Sequence, residues 1–125
     1  MNEGELRTDT CCTLVPYFRV QPGHLADFRA LVPRFVERTS EEAGCVHYAF
    51  SWNGEIAHCR EGYRDAQAVL AHLRNVDGLL TEALAIAEIV RLEVHAPESE
   101  LEQLRGPLAA LGPEWFVLDR GIRRA

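Results

Sequence analysis

The sequence predicts an α+β protein with the ferredoxin-like split βαβ order: strand, helix, strand, strand, helix, strand. Three observations carry this. Asn53-Gly54 joins two alternating runs, and Asn-Gly is the strongest short hairpin signal. Apolar residues at helical spacing occur once before that hairpin and once after it. A β-branched or alternating run stands at each end of the set.

The first strand is CCTLVPYFRV, Cys11 to Val20, where Pro16 suggests an edge position or a bulge. Pro22-Gly23 starts a helix carrying Leu25, Phe28, Leu31, Val32, Phe35 and Val36. Pro33 should bend it and Gly44 should end it. Cys45 to Asn53 and Glu55 to Tyr63 are the hairpin strands, joined by a type I′ turn at Asn53-Gly54. In that register Trp52 faces Glu55, Tyr48 faces Cys59, His47 faces Arg60 and Val46 faces Glu61. One face then carries Val46, Tyr48, Phe50, Trp52, Ala57, Cys59, Glu61 and Tyr63. The other carries Cys45, His47, Ala49, Ser51, Ile56, His58 and Arg60.

Asp65 to Val76 is the second helix, and Asp77 caps a further piece, Leu79 to Ala87. Glu88 to Ala96 alternates, with Val90, Leu92 and Val94 against Arg91, Glu93 and His95. An antiparallel sheet of these four strands has helices on one face. Cys45, Ala49 and Ile56 make the other face apolar enough to want a partner sheet. Beyond this core, Ser99 to Glu102 matches a capping box, and Leu101, Leu104 and Leu108 follow at helical spacing. Trp115 to Asp119 reads as a short strand before the basic end RGIRR. Residues 1–9 read as a frayed terminus. The expectation is one domain over 1–125, with a core at 10–96 and a helix–strand extension at 97–125.

Composition narrows the partners. The chain has 125 residues and a net charge of -6. Its basic residues form no stripe, which argues against nucleic acid. All 13 basic residues are Arg, so lysine Schiff-base chemistry is excluded. No apolar run reaches the ~20 residues that span a bilayer, and the polar start is unlike a signal peptide, so a cytoplasmic location is expected. Cys11, Cys12, Cys45 and Cys59 form no C-x-x-C pair and read as reduced thiols. No metal site is expected. His47 and His58 are diagonal neighbours, with Cys45 as the only conceivable third ligand, and a place in a subunit interface suits them better. Arg19, Arg91 and Arg120 could bind an acidic group or be plain surface charges. His24 reads as exposed at a helix start, and His95 lies on the polar side of its strand.

EGYRDAQAVLAHL, Glu61 to Leu73, holds the candidate chemistry. His72 lies among Val69, Leu70 and Leu73 on the apolar side of its helix. That side should pack on the aromatic sheet face, where Glu61 also lies. A lone carboxylate there is costly, so Glu61 should pair with His72 or Tyr63. Such a pair can tune a base toward neutral pH. The competing reading is a structural histidine, with the aromatics as ordinary core.

Pro22-Gly23, Gly44-Cys45 with Tyr48, Glu61-x-Tyr63 and Ala71-His72-Leu73 together resemble the antibiotic-biosynthesis monooxygenase family over about residues 12–96. The resemblance implies a dimeric α+β barrel, two sheets packed face to face as a homodimer. It also implies a cofactor-independent monooxygenase acting with O₂ on small aromatic phenols, quinols or anthrone-like substrates. His72 would then be the base and Glu61 its orienter, with Tyr48, Phe50, Trp52 and Tyr63 binding substrate and no cofactor required. The haem-degrading branch is less similar: the first strand lacks an Asn, Tyr63 stands where a Trp would, and no His follows His72 before His95. Two rivals share the fold: a non-catalytic dimeric ligand-binding or stress-response module, and an isomerase of a small polar metabolite.

Overall fold

The computed structural model describes residues 4–124. Its strands are β1 (Leu6–Thr8), β2 (Cys12–Val20), β3 (Cys45–Asn53), β4 (Ile56–Tyr63), β5 (Ala87–Ala96), β6 (Glu114–Val117) and β7 (Ile122–Arg124). Its helices are α1 (Leu25–Thr39), α2 (Ala66–Asn75), α3 (Asp77–Leu84) and α4 (Glu98–Leu108), with a 3-10 turn at Ala109–Leu111. The main sheet has the order β3-β4-β2-β5-β6. Its first four strands are antiparallel, the ferredoxin-like arrangement, and β6 joins β5 in parallel. A parallel partner needs a crossover, and α4 supplies it. Leu6–Thr8 is not frayed: β1 and β7 pair as a two-stranded ribbon.

Local chemistry accounts for the helix positions. Gly23, at φ +85, makes the turn into α1. Asp65 caps α2, its carboxylate accepting from the Ala68 N–H at 2.8 Å. The α1 helix ends at Thr39, short of Gly44. Gly44 matters for packing instead. A Cβ there would sit 2.5 Å from the Ala68 Cβ, so the turn after α1 can press against α2 only through a glycine. The capping box is not formed. α4 starts after Pro97, and Glu100 instead reaches across to accept the Ala66 N–H of α2 at 2.8 Å.

The hairpin turn differs from expectation. Its loop is Gly54-Glu55, with Asn53 facing Ile56. Gly54 has φ +58, and among the described residues only glycines have positive φ. Type I′ needs two such positions; a glycine in the first loop place is the type II′ pattern. Every pair moves by two residues, so Trp52 faces Ala57 and Tyr48 faces Glu61. A shift of two keeps each side chain on its face. Val46 and Cys45 are the exceptions, Cys45 lying on the helix-covered face with Tyr63 rather than on the open one. A bulge between Cys45 and His47 leaves Val46 unpaired and 50% exposed. A second bulge, between Tyr17 and Phe18, leaves Val90 unpaired and exposed on β5. Pro16 is on a central strand, not an edge; the β4 ladder passes from Leu14 to Tyr17 without it.

All four helices pack on one sheet face. Phe18, Phe28, Leu31, Phe35, Val76 and Leu79 form one cluster under α1 and α3. Cys12, Leu14, Tyr63, Val69, Leu92 and Val94 form another under α2 and α4. Leu101, Leu104 and Leu108 of α4 are fully buried in the second cluster. Burying a leucine contributes about 1.5–3 kcal/mol, so the extension is part of the packed interior. Leu104→Ala should therefore cost about 2–5 kcal/mol, read as a lower denaturant midpoint. Truncation after Ala96 should abolish cooperative melting; an unchanged melting curve would show that α4 only rests on the surface.

Candidate functional site

The site grows from β4 and α2, the two elements that carry Glu61 and His72. Glu61 points to the helix side of the sheet because it alternates in phase with Ala57, Cys59 and Tyr63. His72 lies one turn beyond Val69 on the buried side of α2. Both are almost fully enclosed, at 6% and 3% exposure. The Tyr63 hydroxyl donates to Glu61 Oε1 at 2.6 Å. His72 Nε2 is 3.6 Å from the same oxygen, too long for a hydrogen bond. Tyr48 and Tyr63 enclose the imidazole, with ring centres 5.2 and 5.1 Å away.

The closest partner of His72 is one that its sequence neighbourhood does not reveal. Glu42, on the turn after α1, places Oε2 2.9 Å from His72 Nδ1. Asn75, one turn further along α2, donates to that oxygen at 2.7 Å and to the Arg38 carbonyl at 3.0 Å. Arg38 returns a bond to the Asn75 carbonyl at 3.1 Å. Nothing local in the sequence marks Glu42, thirty residues before His72. The available signal is Asn75, a polar residue three positions after His72 on the same helix side.

This geometry sets the protons. Nδ1–H donates to Glu42, which fixes the tautomer and leaves the Nε2 lone pair toward Glu61. Burial pushes the Glu61 carboxyl up from 4.5 to about 7, against the Tyr63 hydroxyl and the Cys59 thiol, while the charge of Glu42 raises it further. Burial lowers the His72 pKa, and its bond to Glu42 opposes that. The two shifts act in the same direction: burial favours the neutral acid beside the neutral imidazole. Burial also keeps Tyr48, Tyr63 and Cys59 protonated.

A cavity of about 50 Å³ adjoins this pair. Glu61, His72, Tyr48, Phe50 and Cys59 line it, with apolar walls from all four core strands, α1 to α3 and the 3-10 turn. No arginine lines it. Tyr63 is not in the wall but holds Glu61 from behind. Trp52 is outside it as well: its ring meets Phe28 edge-on at 5.7 Å, and the Arg29 guanidinium sits 4.2 Å above it. On the other sheet face, His58 stacks on Tyr17 at 4.3 Å with Nδ1 3.0 Å from the Pro16 carbonyl. The His47 ring lies against Gly62, where a Cβ would come 2.5 Å from it. Among the described residues, no three His, Cys, Asp or Glu side chains are grouped to hold a metal ion. No described helix is long and apolar enough to cross a membrane.

Comparison with known proteins adds three findings. A family model described as antibiotic biosynthesis monooxygenase matches residues 12–77. No curated protein matches the chain. Among solved structures, MupZ from Pseudomonas fluorescens is 49% identical over 89% of this chain and 92% of its own, with a TM-score of 0.84. Rv0793 from Mycobacterium tuberculosis is 21% identical over 70% of this chain and 95% of its own, at a TM-score of 0.63. An antibiotic biosynthesis monooxygenase is 16% identical over 66% of this chain and 94% of its own, at 0.61. The last two show likeness of fold alone.

The raised carboxyl makes a signed prediction. With a pKa of 4.5 unfolded and about 7 folded, the native state binds the Glu61 proton more tightly. Its contribution to stability is full below 4.5 and is lost as pH rises through 7. The shift corresponds to about 3 kcal/mol. His72 acts in the opposite sense: its contribution is present above 6.5 and is lost as pH falls. Glu61→Gln is neutral at every pH, so its stability should fall less than wild type's between about pH 5 and about pH 8. Urea denaturation at both values checks this. Equal pH responses in the two proteins would mean that the carboxyl is already ionised at the lower one.

Proposed function

The chain belongs to the antibiotic biosynthesis monooxygenase family, and on that premise we propose a cofactor-independent oxygenase of small aromatic substrates. The observation that carries it is the buried Glu42–His72–Glu61 arrangement opening on an apolar, aromatic cavity. His72 Nε2 takes the proton from a phenol, quinol or anthrone-like carbon acid. The imidazolium formed lies between the Glu42 carboxylate at 2.9 Å and the Glu61 carboxyl group at 3.6 Å. Glu42 is the orienting partner, and Glu61 tunes proton affinity from the cavity side. The electron-rich anion gives one electron to O₂, and the radical pair joins as a peroxide. Loss of water leaves a carbonyl, so a CH₂ group and O₂ become C=O and H₂O. The substrate supplies all the electrons. The protein supplies the base, the apolar walls and the exclusion of water.

A cavity of 50 Å³ is smaller than the ~150 Å³ that holds a benzene ring in a protein core. Admission of a ring therefore requires wall residues to move. Tyr48, Phe50, Leu73, Leu80, Ile89 and Leu111 are the partly buried members of the wall. A second reading rests on Glu61. A carboxyl that holds its proton to about pH 7 can give a proton as well as share one. The same pair could thus relay a proton between two atoms of an apolar substrate without O₂. The arginine-free wall argues against a polar metabolite.

We also propose a homodimer through the open sheet face, where Val15, Tyr17, Ala49, Ile56 and His58 are only half-buried and no helix covers them. Light scattering at micromolar concentration should give twice 14.1 kDa; a folded monomer there would remove the barrel. For the chemistry, His72→Gln should lower O₂ uptake with anthrone by about 10²–10⁴-fold without altering folding. Glu42→Gln should lower kcat more than it raises KM. Wild type should show a change of kcat/KM near pH 7 as Glu61 titrates, and Glu61→Gln should remove it. Activity of His72→Gln equal to wild type ends its role as base. Turnover that persists without oxygen selects the proton-relay reading.

A further inference from the structure

We propose that Leu111 is a specificity-determining residue: it walls the cavity from the C-terminal extension and limits the size of ring that fits. This rests on the reading of the cavity as a site for aromatic substrates. Every other lining residue falls between Leu14 and Leu92, inside the β2–β5 unit. Leu111 alone among them comes from beyond β5. It ends the 3-10 turn and is followed by Gly112, at φ +64, and by Pro113.

The turn is braced on both sides. Leu108, fully buried, anchors it at the end of α4. On the other side, β6 is hydrogen-bonded along β5, with Trp115 facing Val94. Leu111 itself packs against the cluster that contains Leu92, Val94 and Leu108. It is held rather than free, yet it is only partly buried, so shortening it does not empty a closed core. The solved structures with low identity align along nearly their whole length with only about 70% of this chain. The β2–β5 unit, which makes the rest of the wall, is about that fraction of the chain. The alignment with MupZ covers 89% of this chain and so reaches into the extension. A wall residue outside the β2–β5 unit is suited to giving proteins that carry the extension a substrate range different from those that do not.

The test uses the full chain and three probes of one, two and three fused rings: phenol, 1-naphthol and anthrone. Dissociation constants are measured for wild type, Leu111→Val and Leu111→Ala, each first shown to melt cooperatively. One methylene of space in an apolar pocket changes discrimination by about 10–200-fold. Leu111→Ala should therefore shift preference toward anthrone over phenol by about tenfold or more, with Leu111→Val between. Anthrone binding to Leu111→Ala but not to wild type would support the wall in its strongest form. If the rings bind and the preference is unchanged in both variants, Leu111 is not the determinant, while the aromatic site stands. If no probe binds any of the three proteins, the aromatic-site reading falls and takes this role of Leu111 with it.

Discussion

A carboxyl group on the apolar face of a sheet must be neutralised, hydrogen-bonded or paired, because an isolated buried charge is prohibitively costly. Glu61 meets this condition in three ways at once. The Tyr63 hydroxyl donates to it at 2.6 Å, burial holds its proton to about pH 7, and His72 waits 3.6 Å away to share that proton. The rest of the molecule serves this constraint. Asp65 fixes where α2 begins, which decides that His72 faces the sheet. Gly44 allows the turn after α1 to touch α2, which brings Glu42 within reach of Nδ1. Asn75 and Arg38 then tie the end of α1 to α2 through each other's backbone. A structural histidine would be satisfied by Glu42 alone; the second carboxyl, on the cavity side, is the feature on which the proposed proton transfer rests.

Much of this was legible in the sequence, for identifiable reasons. Strand side chains alternate with period two, so the set Tyr48, Phe50, Trp52, Ala57, Cys59, Glu61 and Tyr63 survived even though the hairpin register moved by two. Val46 and Val90 were misassigned because each falls at a bulge, and a bulge is set by neighbouring strands rather than by local pattern. The family was legible from short motifs around Gly44, Glu61 and His72. Glu42 was not, since its role depends on a turn meeting a helix thirty residues later. Trp52 shares a face with Glu61 but lies too far along the strand to reach the cavity, and meets Phe28 edge-on instead. A face says which way a side chain points; it does not say how far along the strand a cavity extends.

The apolar spacing of Leu101, Leu104 and Leu108 announced a docked helix. It did not announce that this helix would serve two further purposes. Glu100 accepts the free N–H of Ala66, the first residue of α2, so the extension helps to fix the helix that carries His72. The turn after α4 delivers Leu111 to the cavity wall. Both depend on tertiary placement, which spacing within one helix cannot report.

The parallel pairing of β6 on β5 also orders events in time. Synthesis runs from the N-terminus. Glu42, Glu61, Tyr63, His72 and Asn75 all lie before residue 76, so they are made before Glu100, whose bond to the Ala66 N–H completes the support of the helix that carries His72. The α4 crossover must then dock before β6 can find its neighbour, because a parallel strand cannot return by a tight turn. Leu111 sits between those two steps. The last wall residue of the cavity is thus also the last to be made, after the whole of the β2–β5 unit that lines the rest of it.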